Sequence, residues 1–408
     1  MGQLNATALE EMYQLGLSYL HGDGVPEDDV QAATLFRKAA EQGHAKAQFN
    51  LGVMYLNGEG VSQDYAKAAE WLHLAAEQGD ADAQCQLGVI YEYGEGVSQD
   101  SAKAVLWYKK AAEQGNAIAQ CQLGIFYTLG EVVPQDYAQA ALWYKKAAEQ
   151  GDADAQCSLG ELYTQGEGVP EDYAKAAEWF RLAAEQGNAD AQYQLGVLYE
   201  YGEGIPQDYA QAIFWYKKAA EQGDVDSQCH LGELYEYGKG VPQDKEEAAF
   251  WYKKAAEQGN ANAQCYLGAL YEDGEGVPQN YAKAAGLFLL AAEQGDAIAQ
   301  CRLGALYTLG KGVPEDYEKA AKWFHLAAEQ GESIAQCQLG IIYEHGEGAP
   351  QDYEKAIEWY RLAAEQGDTD AQYQLGELCK KIGRCTHCGG AIKGLFSKKC
   401  ADCGKSPS

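Results

Sequence analysis

Apolar residues recur along this chain at helical spacing and are interrupted at fixed intervals by glycine. In residues 80–115, Ala83, Leu87 and Tyr91 stand four apart with Ile90 beside them, the stripe that one face of an α-helix buries. The spacing predicts a helix A over about 81–93. Gly94 and Gly96 end it, because glycine accepts the left-handed backbone that follows a helix terminus. Ala104, Trp107 and Tyr108 or Ala111 repeat the spacing and predict a helix B running to about Glu113. Asp100 stands where a carboxylate caps the first amides of helix B, and Asp80 does so for helix A after the closing glycine Gly79.

The unit is reiterated without insertion. Leu-Gly pairs begin at Leu15, Leu51, Leu87 and so on to Leu375, always 36 residues apart, which gives eleven registers. In eight repeats a proline such as Pro170, Pro206 or Pro242 follows the turn; it cannot continue a helix but presets entry into the next. Connections this short make neighbouring helices antiparallel. Neither helix can bury its stripe alone, so pairs must stack on pairs, and the expected fold is an all-α solenoid of helix-turn-helix repeats. Gly88 and its equivalents cost about 1 kcal/mol each relative to alanine inside a helix, so they predict close approach of the partner helix. All eight tryptophans share one register, which Leu35 and Leu287 fill in the other two full repeats. Exchange with leucine asks only for apolar volume, so this row reads as core rather than as a ligand ladder. The expected domains are a tail over 1–7, a solenoid of ten full repeats and a terminal half repeat over 8–382, and a separate segment over 383–408.

The pattern carried by Ala83, Leu87, Gly88, Tyr91, Gly94, Gly96, Val97, Asp100, Lys103, Ala104, Trp107, Ala111 and Ala112 resembles the Sel-one-like repeat, a relative of the tetratricopeptide repeat. The resemblance covers about residues 5 to 380. It implies a right-handed α/α superhelix that serves as a non-enzymatic adaptor for protein partners. Departures are few: Glu131 and Val132 replace the Glu-Gly pair in one turn, Asn280 replaces the capping Asp, and Gly286 with Leu287 replaces the Glu-Trp type. One cysteine-rich branch of the family, stapled by disulfides, brings hydrolysis as a remote reading. Here Cys85, Cys121, Cys157, Cys229, Cys265, Cys301 and Cys337 occupy one register per repeat, which elsewhere holds Tyr13, Phe49, Tyr193 and Tyr373. Small buried thiols, reduced in a cytoplasm, are expected from that exchange.

Charge adds a direction. The chain carries a net −30, yet residues 380–408 carry +6, because seven Lys and Arg face Asp402 alone; the rest holds −36. An acidic solenoid repels nucleic acid and anionic lipid and favours a basic partner. No stretch reaches the roughly 18 apolar residues of a membrane span, and the opening residues have no export leader. Near-identical repeats without insertions point to a bacterial source.

Comparing repeats separates what stacking requires from what it leaves variable. On helix A the variable positions lie one residue before the leucine of the Leu-Gly pair, two after it and six after it, spacings that share a face. The candidate partner-binding residues are Tyr93, Ile125, Leu129, Glu161, Gln165, Gln194, Tyr201, His230, Glu233, Tyr237, Tyr266, Arg302 and His345. A mixture of aromatic, charged and aliphatic groups suits a groove for an extended peptide or a partner helix.

The last segment carries different chemistry. Cys385 and Cys388 form one C-x-x-C and Cys400 and Cys403 another, eleven residues apart. Four thiolates match tetrahedral Zn2+ at Zn–S of about 2.3 Å, and the two-residue gap lets one turn present both sulfurs. A structural zinc ribbon is expected, with Ile392, Leu395 and Phe396 too few to form a core without metal. Such a basic ribbon could dock on the acidic solenoid or reach nucleic acid. Catalysis is not expected: the seven histidines are scattered, and the Gly-x-Gly turns recur in nearly every repeat as helix punctuation rather than as a phosphate cradle.

Overall fold

Glycine turns of two kinds separate helices of nearly constant length. In a computed structural model residues 5–382 are described, and the chain divides into two units, Met1–Asp208 and Tyr209–Ser408. The first unit holds α1 (Ala6–His21), α2 (Asp29–Ala40), α3 (Ala45–Asn57), α4 (Tyr65–Glu77), α5 (Ala81–Tyr93), α6 (Ser101–Glu113), α7 (Ala117–Leu129), α8 (Tyr137–Ala148), α9 (Ala153–Gln165), α10 (Tyr173–Glu185) and α11 (Ala189–Tyr201). The second holds α12 (Tyr209–Glu221), α13 (Val225–Tyr237), α14 (Lys245–Glu257), α15 (Ala261–Asp273), α16 (Tyr281–Glu293), α17 (Ala297–Leu309), α18 (Tyr317–Glu329), α19 (Ser333–His345), α20 (Tyr353–Glu365) and α21 (Thr369–Lys381). Odd-numbered helices are of type A and even-numbered of type B. The first starts at Ala6, inside the expected tail, because the Asn5 side chain accepts the Ala8 amide at 2.8 Å and caps it.

The expected punctuation is present. The Asp80 carboxylate accepts from the Ala83 amide at 2.8 Å and Asp100 from the Lys103 amide at 3.0 Å. The turn from A to B closes when the Asp100 amide donates to the Tyr91 carbonyl at 2.8 Å. Gly96, at φ 72°, lies against the first backbone atoms of the preceding helix B at Tyr65 and Ala66, where any Cβ would collide. Val132 takes this position in one turn. Among the described residues only glycines have positive φ, so the backbone there follows another course.

Each core joins three or four consecutive helices. Ala69, Leu72, Ala75 and Ala76 of α4 pack with Ala83, Leu87 and Ile90 of α5, and Trp107 of α6 completes the cluster. Tryptophan is therefore core, but not its deepest ring. Trp107, Trp143, Trp215 and Trp251 are buried, whereas Trp71, Trp179, Trp323 and Trp359 are half-buried. The next residue along goes deeper: Tyr108, Phe180, Tyr252, Phe288, Phe324 and Tyr360 are almost wholly enclosed. That ring lies on the glycine of helix A, and a Cβ built on Gly88 would stand 2.6 Å from Tyr108 Cε1. The expected close approach is thus made by a side chain lying flat on bare backbone.

Candidate partner-binding face

The three variable registers of helix A meet different environments. Six residues after the leucine, at the last turn of the helix, side chains stand clear of the stack. Tyr93 is 67% exposed and Tyr201 59% in the first unit, and Tyr237 is 62% exposed in the second. Leu129, Gln165 and His345 are also exposed. Like-charge neighbours raise the Tyr237 phenol pKa, Glu236 first, so this hydroxyl stays protonated and able to donate.

The register before the leucine is half-buried, since its side chains lean on the ring of the preceding helix B. The His230 ring stacks on Tyr216 at 5.1 Å, and Tyr266 lies 5.2 Å from Tyr252. The Arg302 guanidinium sits 5.8 Å over Phe288 and pairs with Glu272 at 2.8 Å. Burial pushes the Tyr266 phenol up to about 12. Gln194 is likewise half-buried. Two residues after the leucine, Ile125 packs on the cluster of Cys121 and Tyr144, while Glu161 and Glu233 are half-buried. Burial, with help from the charge of Asp190, raises the Glu161 carboxyl. Variation in these two registers is therefore variation in how neighbouring helices touch, and the third register is the most exposed of the three. The thirteen candidates are strung along successive helices and do not converge on one pocket.

Helix B carries a second exposed row that repeat comparison on helix A did not address. Leu106 and Leu142 in the first unit and Phe214 and Phe250 in the second are about half exposed. Four residues on, a lysine covers the neighbouring ring: Lys110 lies 3.8 Å over Trp107 and Lys146 4.0 Å over Trp143. Repeats with Glu70 or Glu178 at the first position place Leu74 or Leu182 at the second. This i, i+4 exchange is visible in the sequence once the helices are aligned.

Chemistry is quiet elsewhere. Cys85, Cys121, Cys157, Cys229, Cys265, Cys301 and Cys337 are buried free thiols, and Cys379 is buried. Burial pushes the thiols of Cys85, Cys121, Cys229, Cys265 and Cys301 up to about 12 and that of Cys337 to about 11. His73 and His325 sit beside Glu77 and Glu329 on their own helices, and His44 Nδ1 caps α3 by accepting the Ala47 amide. Among the described residues no group of three or more His, Cys, Asp or Glu is placed to hold a metal ion. The four cysteines expected to bind zinc, Cys385, Cys388, Cys400 and Cys403, lie outside the described residues. No described helix is long and apolar enough to cross a membrane.

Stacked helical hairpins of 36 residues define a tetratricopeptide-like repeat protein. More narrowly, the chain belongs to the Sel1 repeat family, whose model matches ten consecutive segments from residues 12–44 to 333–368. It is similar to c5321, a protective antigen of uropathogenic Escherichia coli strains with an SLR fold. The two share 41% identity at a TM-score of 0.85, over 93% of this chain and 84% of that one. It is also similar to a Sel1 repeat protein from Oxalobacter formigenes, at 38% identity and a TM-score of 0.57, over 74% of this chain and 87% of that one. A comparison with curated proteins finds no match. Sel1 repeat proteins are generally scaffolds for protein interaction.

Proposed function

We propose that this chain is a non-enzymatic adaptor that holds a polypeptide partner along the helix A face, in the cytoplasm of a bacterial cell. The observation that carries the reading is the register six residues after the leucine, where Tyr93, Leu129 and Tyr201 in one unit and Tyr237 in the other stay exposed. Large side chains held out by rigid helix ends lose little entropy on binding, and tyrosine is enriched among residues that dominate interface energies. Net charge favours a basic partner, which the acidic repeats would attract at long range. Affinity capture with the full chain tests this reading. Retention should fall when Tyr93, Tyr201 and Tyr237 become alanine, and also when salt rises from about 50 to about 500 mM. Capture indifferent to both changes would overturn it.

Cys385, Cys388, Cys400 and Cys403 are proposed to hold one structural Zn2+, on the strength of their spacing. One zinc per chain and its release by chelator, with repeat helicity unchanged, are the expected measurements. The +6 charge of residues 380–408 favours a second reading, contact with nucleic acid through this segment. RNA or DNA binding that disappears on deleting 384–408 would establish it.

A further inference from the structure

In repeat after repeat, one groove is filled by the chain's own tryptophan. Trp107 enters between α4 and α5 against Ala76 and Leu87; Trp143 does so against Ala112 and Leu123, and Trp359 against Ala328 and Leu339. The matching groove between α14 and α15, built from Ala256 and Leu267, receives Leu287 instead. Leucine is shorter and lacks the second ring, and an open cavity of about 770 Å³ remains, lined by Ala256, Leu267, Tyr271, Leu287 and Leu290.

Two adjacent changes clear the space. The residue before Leu287 is Gly286, where other repeats place Glu70, Leu106, Leu142 or Phe250. Nothing lies within 4 Å of where its Cβ would stand, so the mouth has room for a backbone carrying a ring inward. In two sibling grooves the preceding helix B meets the tryptophan edge with an imidazole, His73 at 5.6 Å from Trp107 and His325 at 5.8 Å from Trp359, while others carry a lysine such as Lys109 or Lys145 at that position. Lys253 holds that position here, and the Lys283 ammonium lies 4.9 Å over Tyr271 across the rim. Lys253 is shared with Glu257 of its own helix at 3.8 Å, so Lys283 is the cation that favours an aromatic guest with a negatively charged neighbour.

We propose that this groove binds the tryptophan side chain of a partner polypeptide, flanked by acidic residues, in the place that sibling grooves give to a tryptophan of the chain itself. Tyr237, the exposed tyrosine of the same unit, does not line the cavity. The site rests on the reading of the chain as a binding scaffold, but its failure and the failure of the helix A face are separable. The probe is a short peptide, Gly-Glu-Trp-Glu-Gly with 5-fluorotryptophan, titrated with the full chain and followed by fluorine NMR. A saturable shift is expected, lost by about tenfold or more in affinity in Leu287→Trp, which rebuilds the sibling groove, and unchanged in Tyr237→Ala. Gly286→Glu blocks the mouth without touching the core and should weaken binding in the same direction, whether or not the first variant folds. Absence of a saturable shift, equal binding by Gly286→Glu, or free indole binding as tightly as the peptide would each overturn the proposal.

Discussion

The Gln114 side chain donates from Nε2 to Oε1 of Gln84, in helix A of the same repeat, at 2.8 Å, while Gln84 gives its own Nε2 to the Ala76 carbonyl of the repeat before at 3.0 Å. The same relay recurs in the second unit, where Gln294 donates to Gln264 at 2.9 Å and Gln264 to the Ala256 carbonyl at 3.2 Å. Helix B ends with carbonyls that have no helical partner, and the buried glutamine satisfies one of them while tying the next repeat to it.

Replacing Gln84 by alanine therefore leaves the Ala76 carbonyl to the Gly79 amide, at 3.1 Å, and returns the exposed Gln114 amide to solvent. We expect a loss of about 1 kcal/mol, the net worth of a hydrogen bond, read as a lower urea midpoint by circular dichroism. Gln114→Ala, at the solvent end of the relay, should cost less. Equal losses from the two would show that the relay does not carry the stability.

A pair of identical substitutions should differ in sign. Alanine is favoured over glycine in a helix by about 1 kcal/mol. At Gly286, with open space around it, Gly286→Ala should raise the melting temperature. At Gly88 the new methyl would stand 2.6 Å from Tyr108 Cε1, and overpacking of this kind costs about 1–3 kcal/mol, so Gly88→Ala should lower it.

Glu161 gives a pH test. Its folded pKa is raised above the ordinary value of 4.5 by burial and by Asp190. A carboxyl raised in the folded state contributes stability that is fully present below its unfolded pKa and is lost as pH rises through the folded value. Glu161→Gln should consequently be more stable than the parent at neutral pH and no more stable in acid. A parallel pH dependence of the two unfolding midpoints would refute the assignment.

Thiol chemistry gives the fourth. With Cys85, Cys121, Cys229, Cys265 and Cys301 pushed up to about 12, little thiolate exists at pH 8 and burial blocks approach. Iodoacetamide should leave these five unlabelled in the native chain and label them after unfolding in urea, as peptide mass spectrometry would report. Native labelling at the unfolded rate would contradict the burial of this row.

The helices were legible because their signals are local. Stripe spacing, capping residues at Asp80 and Asp100 and the closing glycines act within a few residues, so helices expected over about 81–93 and to about Glu113 are found at Ala81–Tyr93 and Ser101–Glu113. The candidate face was legible only in part. Tyr93 and Tyr266 both vary between repeats, yet one stands in solvent and the other lies on Tyr252, because the preceding helix B reaches only the earlier turns of helix A. Variation marks tolerance, and a half-buried position tolerates several side chains as readily as an exposed one.

By itself the sequence determined the period, the two helices of each repeat and the apolar row of tryptophans, since each depends on spacing along one strand of chain. Tertiary structure decided which ring lies on Gly88, that Gln84 joins two repeats, and that exchanging tryptophan for Leu287 leaves a cavity. Those outcomes depend on distances between side chains of different helices, which are set only when the helices of one hairpin pack together and on the next.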